Sequence, residues 1–382
     1  MSADRVVVSI TEAFETLTEP RVERTRSHEL IDIVVIAICG TICGCDSWED
    51  LPRYGKAKLE WLRTFLQLPN GIPSADTFAR VFQRLNPSEF MNCMSSWVDA
   101  LRGRVSEEII SIDGKTMCGS GHAESGSKPL HMVRAWASQN HLVLGQQACE
   151  EKSNEITAIP KLLELIELSG AIVTIDAMGC QTGIVEKIRA KEADYVLSVK
   201  DNQPTLKKQV AEAFEDEMEH AAQGEQPRFR RHVTRENEHG REEERSYYVL
   251  PAPKRLRQSK RWTDVKSIGM VIRRRTVKGE EQICVHYYIS SLSPNVRRFA
   301  RVVRSHWSIE NSLHWMLDVN FAEDQSRIRK GASPEIASML RQLALMILKH
   351  DTQLKGSLRG KRKIAGWNNE ALETLLLNFT GA

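Results

Sequence analysis

A chain of 382 residues, 41% hydrophobic and 27% charged, is long enough for two or three domains and a sizeable core, which excludes a disordered or fibrous protein. The formal net charge of +3 is too small for the whole chain to act as a polycation. The most apolar run, Leu30 to Cys45, contains Asp32 and is too short and too interrupted for a membrane span, so it fits a buried helix.

Residues 1–29 are polar and charged and contain no apolar leader segment. The eight cysteines form no CxxC pair, which fits reduced thiols in a cytoplasmic protein. Residues 1–104 read as a helical domain. Within it, LPNGIPSADTFARVFQRL (68–85) gives a Pro/Gly turn, a cap at Ser74 or Asp76, and an amphipathic helix burying Phe78, Val81, Phe82 and Leu85. Thr77, Arg80, Gln83 and Arg84 fall on the opposite face, a pattern compatible with a DNA-reading helix-turn-helix or with any small bundle.

From residue 105 the pattern changes. EEIISIDGK is a short apolar strand ending in Asp113, and HMVRAWAS (131–138) with HLVLGQQACE (141–150) reads as a hairpin turning at Gln139-Asn140. A helix (154–168), a buried strand ending in Asp176, a second helix (181–193) and a third buried strand (194–203) follow. The order β-β-β-α-β-α-β predicts a mixed α/β sheet with helices packed on it, the order of a ribonuclease-H-like core. A β-rich insertion at about 204–292 opens with a charged helix and continues as four strand-like runs. From Arg228 to Lys278 it carries 16 Lys and Arg against 6 Asp and Glu, a local basic excess suited to a polyanion.

After the insertion comes SHWSIENSLHWMLDVNFAEDQSRIR (305–329). At helical spacing Ile309, Leu313 and Met316 form an apolar stripe, while His306, Glu310 and His314 share a neighbouring face. In the predicted sheet the strands of Asp113 and Asp176 are neighbours, so two carboxylates meet, and such a pair repels unless a cation lies between them. A hard divalent ion, Mg²⁺ with Mn²⁺ as substitute, suits oxygen ligands, and Glu310 supplies a third carboxylate for a two-metal phosphodiester site. Either aspartate alone is better explained as a helix cap. The three acids in the order strand, strand, late helix form a more specific pattern.

SADTFARVFQRL, SIDGKTM (111–117), TIDAMGCQ (174–181), YVLSVKDNQ (195–203), HYYISSL (286–292) and HWSIENSLHWMLDVNFAEDQSR (306–327) together resemble the bacterial insertion-sequence transposases of the Asp-Asp-Glu class, in their H-repeat-associated group. The resemblance spans nearly the whole chain. It implies Asp113, Asp176 and Glu310 as catalytic and metal-binding triad, Mg²⁺-dependent DNA cleavage and strand transfer, double-stranded DNA as partner, and a homodimer on paired DNA ends. Related transposases with a β insertion carry a Tyr, an Arg and a Lys where this chain has Val303, His306 and Leu317. Lys115, Lys200, Asn202, Arg304, His306, Trp307 and Arg327 are the expected DNA contacts, joined by Arg329 near the same helix. Trp307 and Trp315 could stack on a displaced base or simply pack in the core. Zinc held by His306, Glu310 and His314 is a minor alternative. A DNA-binding relic or regulator that no longer cuts is the alternative function. No P-loop, dinucleotide fingerprint or Ser/His/Asp motif is present.

Overall fold

The computed structural model describes residues 10–99, 107–121, 128–150, 154–238, 241–259, 261–277 and 280–380. The expected domain boundary at 104–105 lies outside these residues. Up to residue 99 the described chain is helical. Helix α1 (Leu30–Cys43) has every residue from Asp32 to Ile42 buried, so it runs through the core rather than over it. Gly44, at φ 107, ends it in the left-handed conformation that glycine adopts without steric cost. Helices α2 (Asp50–Ala57) and α3 (Leu59–Leu62) lead to α4 (Ala75–Arg84) and α5 (Pro87–Asp99). Of the two candidate caps on α4 it is Ser74 that acts, its hydroxyl accepting the Thr77 N–H at 3.2 Å. Phe78, Val81 and Phe82 are buried, and Arg80, Gln83 and Arg84 are exposed. Among the described residues no helix is long and apolar enough to cross a membrane.

The remaining chain is organised on one nine-stranded mixed sheet in the order β3-β2-β1-β4-β5-β9-β8-β7-β6. Its first half comprises β1 (Ile109–Met117), β2 (Leu130–Ala137), β3 (Leu142–Ala148), β4 (Ile172–Ile175) and β5 (Asp194–Val199), with helices α6 (Glu155–Leu165) and α7 (Thr182–Ala190) as the crossovers. β1, β2 and β3 are antiparallel, and β4 and β5 join β1 in parallel. The second half follows α8 (Pro204–Ala222) and is a four-stranded meander: β6 (Arg230–Glu238), β7 (Arg241–Pro251), β8 (Ser267–Val277) and β9 (Glu280–Ser290), with a short helix α9 (Lys254–Arg257) between β7 and β8. The insertion continues the core sheet, because β9 pairs antiparallel with β5 from Val196↔Ser290 to Val199↔Tyr287.

Helix α10 (Val296–His306) crosses one face, burying Phe299, Val302 and Val303 against Ile109, Ile172, Val196 and Val271. A π-helical turn (Glu310–His314) and α11 (Trp315–Phe321) follow it. Helices α12 (Ser333–His350), α13 (Leu358–Trp367) and α14 (Asn369–Thr380) then return to the N-terminal helices. Phe379 meets Trp97 edge-on with centroids 5.3 Å apart, and Arg362 donates to the Thr41 carbonyl at 3.1 Å.

On β2, inside the edge strand β3, Arg134 forms a fully buried ion pair with Glu323, its Nη2 2.8 Å from both Glu323 Oε1 and Ser338 Oγ. Gln342 and Gln146 extend this network. Removing one member of a buried pair strands the other charge. Arg134→Leu is expected to cost about 3–5 kcal/mol in urea unfolding, and the double variant Arg134→Leu/Glu323→Leu less than the single one. A loss in the double variant equal to the sum of the Arg134→Leu and Glu323→Leu losses would show that the pair is not coupled.

Candidate active site

Strand alternation decides which side chains reach the face under α10. Ile109, Ser111 and Asp113 point one way on β1, and Ile172, Thr174 and Asp176 point the same way on and just after β4. Ile112 lies opposite Ile175 in the parallel register, so Asp113 and Asp176 follow at the same level on neighbouring strands. The small hydroxyl residues two positions before each aspartate receive the end of α10. Ser111 and Ser138 both donate to the Ser305 carbonyl, at 3.3 and 3.4 Å, and Thr174 Oγ1 lies 3.1 Å from His306 Nδ1. Gly114, after Asp113, leaves room for the Glu155–His131 pair, which a Cβ at this position would meet.

This seam delivers Glu310 over the sheet edge. Where the sequence predicts one regular helix, the chain makes a π turn from Glu310 to His314, and irregular turns of this kind recur at functional sites. Two lysines reach the turn's carbonyls: Lys349 Nζ donates to Ser312 O at 2.7 Å, and Lys115 Nζ to His314 O at 3.4 Å. Burial pushes the Lys349 ammonium down to about 8. Below the turn Ile309, Leu313, Leu317 and Phe321 are buried, so the apolar stripe runs through Leu317 rather than the half-buried Met316.

The resulting cluster is acidic and short of positive charge. Asp113 Oδ2 lies 3.7 Å and Glu310 Oε2 3.2 Å from His314 Nδ1. Burial, reinforced by the charges of Asp176, Glu155 and Glu310, pushes the Asp113 carboxyl up to about 7 against a favourable Gly114 N–H. Glu310 is held below its ordinary value, first by its hydrogen bond with His314, while burial pushes His314 itself down. A neutral imidazole donating Nδ1–H to an ionised Glu310 satisfies both directions. Asp176 Oδ1 also accepts the Met178 N–H at 2.9 Å, so it caps the following turn as well as facing the cleft. Asp113, Glu310 and His314 offer oxygen and nitrogen donors all within 4.8 Å of one another. Carboxylates from separate elements, one of them starved of countercharge, fit a divalent cation, with Asp176 beside them on the next strand.

A cleft of about 280 Å³ opens over Asp113, Asp176 and Glu310, with Lys200, His286, His306 and Trp307 in its wall. Lys200 is exposed at its rim. Trp307 is 48% exposed, and Trp315 is 53% exposed, so neither indole is core. His306 is half-buried, and desolvation pushes its imidazole down to about 4; it sits on Thr174, outside the Asp113–Glu310–His314 donor group. Val303 and Leu317, at the other two positions where related transposases carry polar companions, are buried at 6% and 0% exposure.

Other expected contact residues have partners within the chain. Lys115 is ion-paired with Asp318, Asn202 Nδ2 donates to Ala177 O at 2.6 Å, and Arg304 meets Glu236 at 2.8 Å. Asn202 thereby secures the turn that carries Asp176. Arg327 and Arg329 are exposed, and Arg329 donates to Gly119 O at 2.9 Å. A second groove runs from Trp307 along the meander, past Arg304, Arg273, Arg275, Arg245 and Glu243. Sequence reasoning missed Ser111, Thr174, Ser138 and Lys349 as supports of the site, since each acts across long sequence separations.

Residues 105–347 match the family model described as the transposase DDE domain, and residues 11–98 match the model described as DDE_Tnp_1-associated. YncI of Escherichia coli O157:H7, provisionally named a transposase, is 37% identical over 374 residues, covering 97% of this chain and 95% of that protein. YhhI of Escherichia coli strain K12, provisionally named an H repeat-associated transposase, is 36% identical over 354 residues, 91% of this chain and 92% of that protein. A piggyBac transposase synaptic complex with hairpin DNA aligns at a TM-score of 0.39 and 9% identity over 99% of this chain and 77% of that chain, a likeness too slight to add weight. The chain belongs to the family of transposases that carry the transposase DDE domain, with H repeat-associated proteins among its relatives.

Proposed function

We propose that this protein is a divalent-metal-dependent DNA transposase with a ribonuclease-H-like core, cleaving the strand at an element end and joining the freed 3′-hydroxyl to target DNA. One observation carries this reading: Asp113 and Asp176 leave neighbouring parallel strands at one level, and Glu310 descends onto the same cleft from α10 and its π turn. Mg²⁺ or Mn²⁺, when bound by Asp113, Asp176 and Glu310, supplies the positive charge that activates the attacking oxygen and stabilises the leaving one. The chain's own groups do the rest. Lys200 at the rim holds a phosphate, Trp307 offers an exposed face to a base, and the hydroxyl seam keeps Glu310 in register. Residues 1–104 are proposed as a DNA-contacting helical domain through the exposed Arg80, Gln83 and Arg84, and pairing of two DNA ends calls for a homodimer. A relic that binds without cutting is the second reading, favoured by the packing of Val303, His306 and Leu317 at positions where related transposases carry Tyr, Arg and Lys.

Glu310→Gln removes a charge needed for the cation but not for DNA docking. Nicking of DNA bearing the element's ends in Mg²⁺ or Mn²⁺ is expected to fall on the order of a thousandfold, with binding retained. Binding by both proteins with cleavage by neither would establish the relic reading.

Strand alternation splits the arginine triplet of β8. Arg273 and Arg275 line the groove that leads to Trp307, and Arg274 faces the opposite side beside Glu242 and Glu244. Replacing Arg273 and Arg275 by alanine should therefore weaken DNA binding and lower the slope of log K against log salt by about 2, while Arg274→Ala changes it little. Equal effects of the two sets would dismiss the groove as the DNA track.

The raised Asp113 carboxyl makes stability depend on pH in the metal-free protein. The folded state keeps this proton up to about 7 whereas the unfolded chain loses it near the ordinary carboxylate range, so folding stability falls as pH rises through that window. Asp113→Asn should remove a decline on the order of 4 kcal/mol between pH 4 and 8, read from urea unfolding, and Mg²⁺ at pH 8 should stabilise wild type alone. A pH-independent difference between the two proteins would rule out this titration.

A further inference from the structure

We infer that His314 is a direct ligand of the catalytic cation, giving the site an imidazole nitrogen beside its carboxylates; this rests on the metal-dependent reading above. Among the described residues, His314 alone has a ring nitrogen within 4 Å of two carboxylates, at 3.2 Å from Glu310 and 3.7 Å from Asp113. A single N–H satisfies one acceptor, whereas one cation seated among the three atoms satisfies all of them. The spacing suits that: adjacent ligands of an octahedral ion lie about 3 Å apart, √2 times a bond of about 2.1 Å. Of the other imidazoles near the cleft, His286 lies in its wall with Arg273 and Lys200 as its charged neighbours. His131 has both nitrogens bonded, to Thr116 and Glu155 at 2.8 Å each, and His306 is held by Thr174. The His314 side chain is 2% exposed and cannot turn away to solvent. Its Nδ1 is fixed at the cluster by the π turn, which Lys349 ties through Ser312 and Lys115 through the His314 carbonyl itself.

An imidazole ligand changes which ion is preferred. Mg²⁺ favours oxygen alone, while Mn²⁺ and the later divalent metals accept nitrogen more readily. His314 thus sets a bias toward Mn²⁺ that three carboxylates alone do not give.

The test is Mn²⁺ titration of the full chain by calorimetry, with pulsed EPR of the bound ion. Wild type is expected to bind Mn²⁺ at least about tenfold tighter than Mg²⁺ and to show one directly coordinated ¹⁴N. That coupling should vanish in His314→Asn, with Mn²⁺ affinity down on the order of tenfold or more, and persist in His306→Asn. Labelling wild type with ¹⁵N-histidine should convert the coupling to ¹⁵N, which identifies an imidazole even if the His314 variant misfolds. Bound Mn²⁺ with no nitrogen coupling, or a coupling that survives His314→Asn, would overturn the inference while leaving the metal-dependent reading intact. Absence of any Mn²⁺ binding by wild type would sink both.

Discussion

Four residue pairs of parallel strand, Ile109–Ile112 against Ile172–Ile175, fix the level at which two carboxylates leave the sheet. Parallel pairing requires a crossover, and here the crossover itself includes the β2–β3 hairpin and α6. Most of the first half of the fold therefore exists between the two aspartates. The electrostatic outcome is unfavourable in the metal-free chain, as the raised Asp113 carboxyl shows. Like charges are held together because burial of Ile110, Ile112, Val173 and Ile175 on the opposite face outweighs their repulsion.

The third carboxylate arrives by different physics. α10 is seated by apolar contacts of Phe299, Val302 and Val303, then oriented by hydroxyls of Ser111, Ser138 and Thr174. Beyond it the chain abandons α geometry for one turn, and two lysines take up its carbonyls. The buried Arg134–Glu323 pair anchors the segment after α11 to β2 and α12. Helix, turn and loop are each held by a polar contact that reaches far along the chain, from Ser111 to Ser305, from Lys115 to His314 and from Arg134 to Glu323.

Such contacts separate what the residue pattern discloses from what it hides. The strands were legible because a short apolar run closed by a single acid suits a buried strand and little else, and their order followed from crossover handedness. The meander was legible as strands, but nothing in β9 announces that Val196 pairs with Ser290 and makes the insertion part of the core sheet. Asp113, Asp176 and Glu310 are brought to one cleft as expected. The π turn left no trace in the residue pattern, because ENSLH is an ordinary helical sequence. Lys115, Asn202 and Arg304 looked like free polar groups near a DNA site, yet each has an intramolecular partner that spacing alone does not disclose. His314 was visible on the helix face it shares with His306 and Glu310, as one member of a possible zinc set. Its second neighbour, Asp113, comes from a distant strand of the core sheet.

The closure of the N-terminal helices by α13 and α14 has a consequence for synthesis. Trp97 meets Phe379, Trp61 bonds Glu373 at 2.6 Å, and Arg362 bridges to Thr41 and Asp46. At translation rates of roughly 5–20 residues per second, tens of seconds separate the emergence of α5 from that of α13. Throughout that interval the apolar flank of α1 has no permanent cover. Nascent chains of this protein are thus obliged to hold an unfinished bundle at the ribosome, and products shortened before α13 carry an exposed hydrophobic surface that favours aggregation.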